Sequence, residues 1–371
     1  MSVLVIRCDD IGDMLLTLPL LEAIRRGWPQ SRVTVVARPV VLPLVRQTPL
    51  VDETIGWTPL GRLGPTVVGQ TRALLFARRT LRSCPYDLAV LPRWGPDAYQ
   101  SRYLASGSSA RKIVGFAPGP QSFPWESGES VMLSATITSQ PDTPVHELAR
   151  SSTVATGLGL KPEEQQRHLG TLLLRSSDRI AAGRALEALV MFRRPIVAVV
   201  LGAAAAKRQW PVQRYASVLS GVHVERPVAV VVLGASCDEG MAQGFVKALP
   251  PGLPYRDFTG KLDLKRSLAV LEVSSLYLGG DTGPMHMACS VGTPAVVVSC
   301  HPRSGSPLSS NSPARFGPWA SSSTVLQPDG PAPGCDEECR ALIPHCILDV
   351  LVPSVTKAVV ETLGLSAVRE R

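Results

Sequence analysis

The chain has 371 residues, 45% of them hydrophobic and 18% charged, with 38 Lys and Arg against 30 Asp and Glu for a net charge of +8. That length suits two domains of about 150–200 residues, each able to bury a core of its own. No uninterrupted apolar run reaches the roughly 18–20 residues that cross a bilayer, and the chain enters a strand at once without a signal-peptide pattern, so a cytoplasmic protein is expected. The basic residues are scattered, with doublets at Arg25-Arg26, Arg78-Arg79, Arg111-Lys112 and Lys207-Arg208. No nucleic-acid motif accompanies them, nor the aromatic interleaving that stacks bases. A diffuse positive surface fits anionic substrates or peripheral contact with the anionic inner face of a membrane, and equally a merely soluble surface.

In chain order, Val3-Leu4-Val5-Ile6 is a short continuous apolar run, the pattern of a buried parallel strand. It delivers Arg7-Cys8-Asp9-Asp10-Ile11-Gly12-Asp13 into a tight loop, and residues 14–28 follow with helical periodicity. Pro19 lies inside that pattern, so the helix either kinks there or takes up its regular course near Thr17. A strand is expected over 32–37. The unit lacks G-x-G-x-x-G, which argues against a dinucleotide site. Asp13 sits at a strand's carboxyl end, where open α/β sheets place ligands; the plainer reading is a carboxylate complementing a helix dipole. Asp9 and Asp10 read as capping or solvated groups.

The α/β alternation continues with a basic helix over 71–82, a strand over 86–91 that ends in Pro92-Arg93-Trp94-Gly95, and a strand over 111–116. Residues 117–144 are rich in Pro, Gly and Ser and read as a long loop, before a helix over 146–158. The pattern restarts after about residue 165–190. A strand over 195–201 leads through Gly202 into Lys207-Arg208-Gln209-Trp210-Pro211 and a helix over 212–219, then a strand over 228–233 that ends at Gly234. After Thr259-Gly260, a helix over 265–273 precedes the most informative stretch, Leu278-Gly279-Gly280-Asp281-Thr282-Gly283-Pro284-Met285-His286-Met287-Ala288.

Here an apolar strand ends in two glycines and a polar turn before a helix. Amides at Thr282 and Gly283 fall in a first turn whose N–H groups lack intrahelical partners, and the helix dipole favours an anion there, above all a phosphate. Pro284 suits a first helical position. The alternative is an ordinary strand–turn–helix corner capped by Asp281 or Thr282. Beyond the strand over 295–298 the chain is loop-rich to about residue 345. There Cys335-x3-Cys339-x6-Cys346, with His345 beside it, has the residue types for zinc but lacks paired C-x2-C spacing. Free thiols or a local disulfide are the other readings. The other five Cys are spread singly, as expected of reduced thiols. A helix over 355–363 ends the pattern.

Taken together, Arg7-x-Asp9-x-x-Gly12-Asp13 with Leu18-Pro19, the Lys207–Pro211 segment, and Gly280-Asp281-Thr282-Gly283-Pro284-Met285-His286-Met287-Ala288 resemble the bacterial ADP-heptose:lipopolysaccharide heptosyltransferase family. Gly234, Thr259-Gly260, Gly292-Thr293-Pro294, the cysteine trio and the Tyr86-Asp87 strand fit the same order, so the resemblance covers nearly the whole chain. It implies a GT-B fold: two Rossmann-like, doubly wound α/β domains facing across a cleft. The acceptor-side domain is expected over 1–170 and the nucleotide-sugar domain over 171–350, with a C-terminal helix over 351–371.

The implied activity is inverting transfer of a heptose or related sugar from a nucleotide-diphosphate donor, ADP-linked by resemblance, to a hydroxyl of a cell-envelope glycan such as lipopolysaccharide core. It needs neither cofactor nor metal. Asp13 matches the catalytic carboxylate. Lys207, Arg208, Gly234, Glu239, Asp281, Thr282, Gly283, Pro284 and His286 fall on the donor side, and Asp10, Gly12 and Arg93 on the acceptor side. The chain departs from the pattern where Asp9 and Asp10 replace two hydroxyl residues, and where Arg208 rather than Lys stands two before Trp210-Pro211. Asp238 and Glu239 are the candidates for holding the donor ribose. Two alternatives remain open, a nucleotide-sugar epimerase and a non-catalytic nucleotide-sugar-binding protein.

Overall fold

The computed structural model describes residues 1–60, 67–117, 132–138, 145–162, 168–319 and 323–369. It forms two compact units, Met1–Leu173 and Leu174–Arg371. In the first, β1 (Ser2–Ile6), β2 (Arg32–Ala37), β3 (Glu53–Gly56), β4 (Leu88–Leu91), β5 (Lys112–Phe116) and β6 (Ala135–Ile137) build one sheet in the order β3-β2-β1-β4-β5-β6. Every pairing in it is parallel. In the second, β7 (Ile196–Val200), β8 (Ala229–Leu233), β9 (Tyr255–Asp257), β10 (Leu276–Gly280), β11 (Ala295–Val298) and β12 (Thr324–Leu326) are ordered β12-β11-β10-β7-β8-β9, again all parallel. Each sheet is therefore doubly wound in the Rossmann order, with its topological switch point beside its first strand: between β1 and β4, and between β7 and β10.

The strands follow from their sequences. Val3, Leu4, Val5 and Ile6 are fully buried, as are Val197, Ala198, Val199 and Val230. Such uninterrupted apolar runs are what a sheet covered on both faces requires. Trp57 packs on Phe76 at 4.9 Å in the first core, and Trp210 meets Tyr215 edge-on at 4.9 Å in the second.

The segment after β1 forms two helices, Ile11–Leu15 and Leu18–Gly27. Pro19 lies in the first turn of the second, where its missing N–H has no acceptor to lose, so it begins a helix instead of bending one. The expected loop over 117–144 contains β6; its parts at 118–131 and 139–144 lie outside the described residues. The last helix, Val352–Arg369, packs on the second unit's sheet and on the helix Val212–Glu225. Among the described residues no helix is long and apolar enough to cross a membrane.

Gly279, where β10 pairs with β7, fixes how closely the strands and the following turn can approach. A Cβ there would lie 2.5 Å from the Tyr277 hydroxyl and 2.8 Å from the Val200 carbonyl oxygen. Because the second obstacle is backbone, Gly279→Ala is expected to cost about 1–3 kcal/mol, the range for overpacking. A lowered urea midpoint for the second unit, followed by its Trp210 fluorescence, checks this.

Candidate active site

In the first unit the polar cluster sits at the carboxyl ends of β1, β2 and β4, beside the switch point. Arg7 leaves β1 almost wholly buried, its backbone N–H donating to the Val36 carbonyl at 2.9 Å. Its Nε lies 3.0 Å from Asp9 Oδ2 and its Nη2 donates to Asp13 Oδ1 at 2.9 Å. Asp9 is also paired with Arg93, and Asp10 with Arg38. The carboxylates at positions 9 and 10 are thus each matched by a guanidinium, which offsets the repulsion between two adjacent negative charges.

Asp13 stands on the third residue of its short helix, after the buried Gly12, with its side chain 23% exposed. Its Oδ2 accepts the Asp10 N–H at 3.3 Å, and its carbonyl accepts the Thr17 hydroxyl at 2.8 Å. Burial raises the proton affinity of Asp13 above that of an ordinary aspartate; Arg7 opposes this, while Glu147 and Asp10 add to it as like charges. Glu147 opens the helix Glu147–Gly157 and is buried with Arg150, whose guanidinium lies 3.8 Å from the Trp94 ring centroid. Ser151 of that helix donates to the Leu16 carbonyl at 2.6 Å, which ties it to the junction between the helices Ile11–Leu15 and Leu18–Gly27. Arg93 also donates to the Pro96 carbonyl at 2.7 Å and lies over the Tyr99 ring. Arg93, expected on the acceptor side, is thus oriented by three protein contacts.

In the second unit the sequence-selected residues come from the carboxyl ends of β7, β8 and β10. Gly280 ends β10 next to the turn Ala206–Arg208, where its Cβ would lie 3.5 Å from the Arg208 carbonyl oxygen. The Tyr277 hydroxyl donates to the Gly280 carbonyl at 2.9 Å and lies 3.3 Å from the Thr282 hydroxyl. Thr282 is the N-cap of the helix Gly283–Ser290, in extended conformation, and its hydroxyl makes no cap bond. The Gly283 amide is accordingly a first-turn donor with no intrahelical acceptor. Pro284 occupies the second helical position rather than the first.

Asp281 and His286 approach to 3.9 Å, and the imidazole stacks on Trp319 at 5.4 Å. Lys207 bonds the Cys339 carbonyl and Arg208 the Asn311 side chain. Both cations are half-buried, Arg208 held to the segment after β11 and Lys207 to the one after β12. After β8, Asp238 turns back to accept the Ala235 N–H at 2.9 Å and packs where side chains on Gly202 and Gly234 would stand. Glu239 is exposed beside Gly260, a residue at φ +70° whose Cβ would lie 2.9 Å from the Glu239 carboxylate. Asp238 thus shapes the loop, and Glu239 is the more exposed of the two carboxylates.

Sequence reasoning gave no role to Arg7, Arg38, Glu147, Tyr277, Asn311 or Trp319. Arg7 stood in the quoted motif, and Tyr277 acts within its own turn on Gly280 and Thr282; Arg38, Glu147, Asn311 and Trp319 carry no local signal, because the groups they meet are remote along the chain.

A sequence profile described as glycosyltransferase family 9 (heptosyltransferase) matches residues 75–342. Lipooligosaccharide heptosyltransferase 2 of Haemophilus influenzae is 26% identical over 319 residues, covering 80% of this chain and 83% of its own. Lipopolysaccharide heptosyltransferase 2 of Escherichia coli K12 is 24% identical over 309 residues, covering 80% and 82%. Among solved structures, a family 9 glycosyl transferase from Veillonella parvula superposes with a TM-score of 0.74 at 20% identity, covering 98% of this chain and 97% of its own. The E. coli ADP-heptose lps heptosyltransferase II does so at 0.70 and 18%, covering 99% and 100%. The chain belongs to glycosyltransferase family 9, the heptosyltransferase family, and is a glycosyltransferase of the GT-B fold.

Proposed function

We propose that this enzyme transfers a heptose or related sugar from an ADP-linked donor to a hydroxyl of a lipopolysaccharide core or comparable cell-envelope glycan, with inversion and without metal in the chemistry. The observation that carries the reading is Asp13: a carboxylate of raised proton affinity, fixed by Arg7 beside a topological switch point. Asp13 takes the proton of the acceptor hydroxyl as that oxygen bonds to the anomeric carbon. The bond from that carbon to the diphosphate breaks from the opposite side, and the nucleotide diphosphate leaves with the electron pair.

Its growing charge is met by the Gly283 amide and helix N-terminus and by Lys207 and Arg208. Gly234 and Pro284 keep the backbone close to the donor, Asp281 and His286 orient the turn, and Glu239 accepts from the ribose hydroxyls. Asp10, Gly12 and Arg93 form the acceptor side. In this reading the unit ending near residue 170 serves the acceptor and the following unit the donor. The enzyme works in the cytoplasm, with its net charge of +8 favouring peripheral contact with an anionic inner membrane face.

A panel of ADP-, GDP- and UDP-sugars tests the donor: binding and transfer are expected with the ADP-heptose arm, and transfer from none of them overturns the proposal. Asp13→Asn is expected to lower turnover by about 10²–10⁴ while leaving donor affinity within about three-fold, the signature of losing a general base. Near-normal turnover in that variant removes Asp13 from the mechanism. Because the base acts deprotonated and its pKa is raised, kcat/KM should fall with acid at a pH above the usual aspartate range. In Glu147→Gln one like charge is gone, so the same limb should move to lower pH; a limb that stays in place separates Glu147 from the base.

A further inference from the structure

Residues 335–346 lie between β12 and the helix Val352–Arg369, in a part of the second unit with little regular structure. Cys335, Cys339 and Cys346 are buried there and His345 half-buried. Their three sulfurs and one imidazole nitrogen all lie within 4.8 Å of one another. His345 Nδ1 stands 3.5 Å from Cys335 Sγ and 3.6 Å from Cys346 Sγ. These are the edges of a small tetrahedron: a Zn–S bond of about 2.3 Å and a Zn–N bond of about 2.0–2.1 Å at the tetrahedral angle set an S···N edge of roughly 3.5 Å. We infer that Cys335, Cys339, His345 and Cys346 form a closed, structural Zn²⁺ site, distinct from the transfer chemistry.

The donor set supports this ion over others. Three thiolates and one imidazole are soft ligands in four-coordinate number, the Cys₃His combination of structural zinc. So compact a group has room for one ion and not for a polynuclear cluster. The backbone also favours thiolate, with the Arg340 N–H donating to Cys335 Sγ at 3.3 Å. Gly334, at φ +84°, supplies the left-handed residue that turns the chain into the first ligand. A disulfide would use two of the sulfurs and strand the third with the imidazole; Cys335, Cys339 and Cys346 form none here.

The site has a structural task in view. The Cys339 carbonyl is the acceptor for Lys207, and the Glu337 carbonyl accepts the Ser306 N–H at 3.0 Å. An ion bound at 335–346 would fix the segment that positions Lys207 (this last link rests on the reading of Lys207 as a diphosphate ligand; the metal assignment does not).

The test is metal analysis of the full-length protein purified under reducing, chelator-free conditions. About one zinc per chain is expected, and Cys339→Ser and Cys346→Ser should lose it, while Cys237→Ser, changed at an exposed thiol elsewhere, should keep it. Since a ligand variant can also misfold, the wild-type protein reconstituted with Co²⁺ provides an independent reading: intense visible bands and thiolate-to-cobalt charge transfer mark a tetrahedral sulfur-rich site. His345→Cys, which keeps four soft ligands, should retain metal with an altered cobalt spectrum, whereas His345→Ala should bind it at least ten-fold more weakly. Metal-free protein that gives only the pale spectrum of octahedral cobalt overturns the assignment, as does zinc retained in Cys339→Ser. Donor affinity that is unchanged when zinc is stripped overturns the link to Lys207 and leaves the site itself standing.

Discussion

The first unit's site depends on one buried guanidinium. Arg7 follows β1 with almost no exposure and contacts both Asp9 and Asp13. A buried charge is tolerable only when its donors find acceptors, and removing one partner leaves the other's charge uncompensated. Arg7, Arg93 and Arg38 therefore let this chain carry adjacent aspartates at 9 and 10. The same contact holds Asp13 in place while burial and Glu147 raise its proton affinity. A carboxylate that was only paired would be a weak base; one that was only buried would have no fixed direction. The balance between Arg7 and the surrounding desolvation gives Asp13 both.

The second unit is organised by the absence of side chains. Gly279 has no room for a Cβ between the Tyr277 hydroxyl and the Val200 carbonyl, and Gly202 and Gly234 surrender their space to Asp238. These positions let strand ends and turns approach closely. Tyr277 then fixes the carbonyl just before the turn, so Thr282 can begin the helix in extended conformation with its hydroxyl outside the cap.

Both units use one topology to reach these ends. The strand order reverses beside the first strand of each sheet, and the loops leaving the neighbouring strands diverge there, opening a crevice at the carboxyl edge. The Asp9, Asp13 and Arg93 cluster and the Gly280, Thr282 and Arg208 cluster occupy equivalent places in two sheets of the same order. The cysteine and histidine cluster lies outside this scheme, in a segment with little helix or strand, its three cysteines packed into the second unit's core.

The sequence by itself determined the inner strands, because a parallel sheet covered on both faces demands unbroken apolar runs such as 3–6, 196–200 and 229–233, and these are local; the short, partly exposed edge strands β3, β6, β9 and β12 carry no such run. It likewise determined the glycine-edged turn at 279–283 and the family, since both reside in contiguous residues. Only the tertiary structure decided the electrostatics. Glu147 acts on Asp13 across 134 positions, Arg38 arrives from β2, and Arg93 from β4. Lys207 and Arg208 find their acceptors more than a hundred residues downstream. The reason is the crossover connection: each parallel neighbour is separated by a helix, so charges that meet at one sheet edge are remote along the chain. The break at Leu16–Thr17 and the fourfold convergence at Cys335, Cys339, His345 and Cys346 were open in the sequence for the same cause. Periodicity and spacing admit several local geometries, and packing selects one.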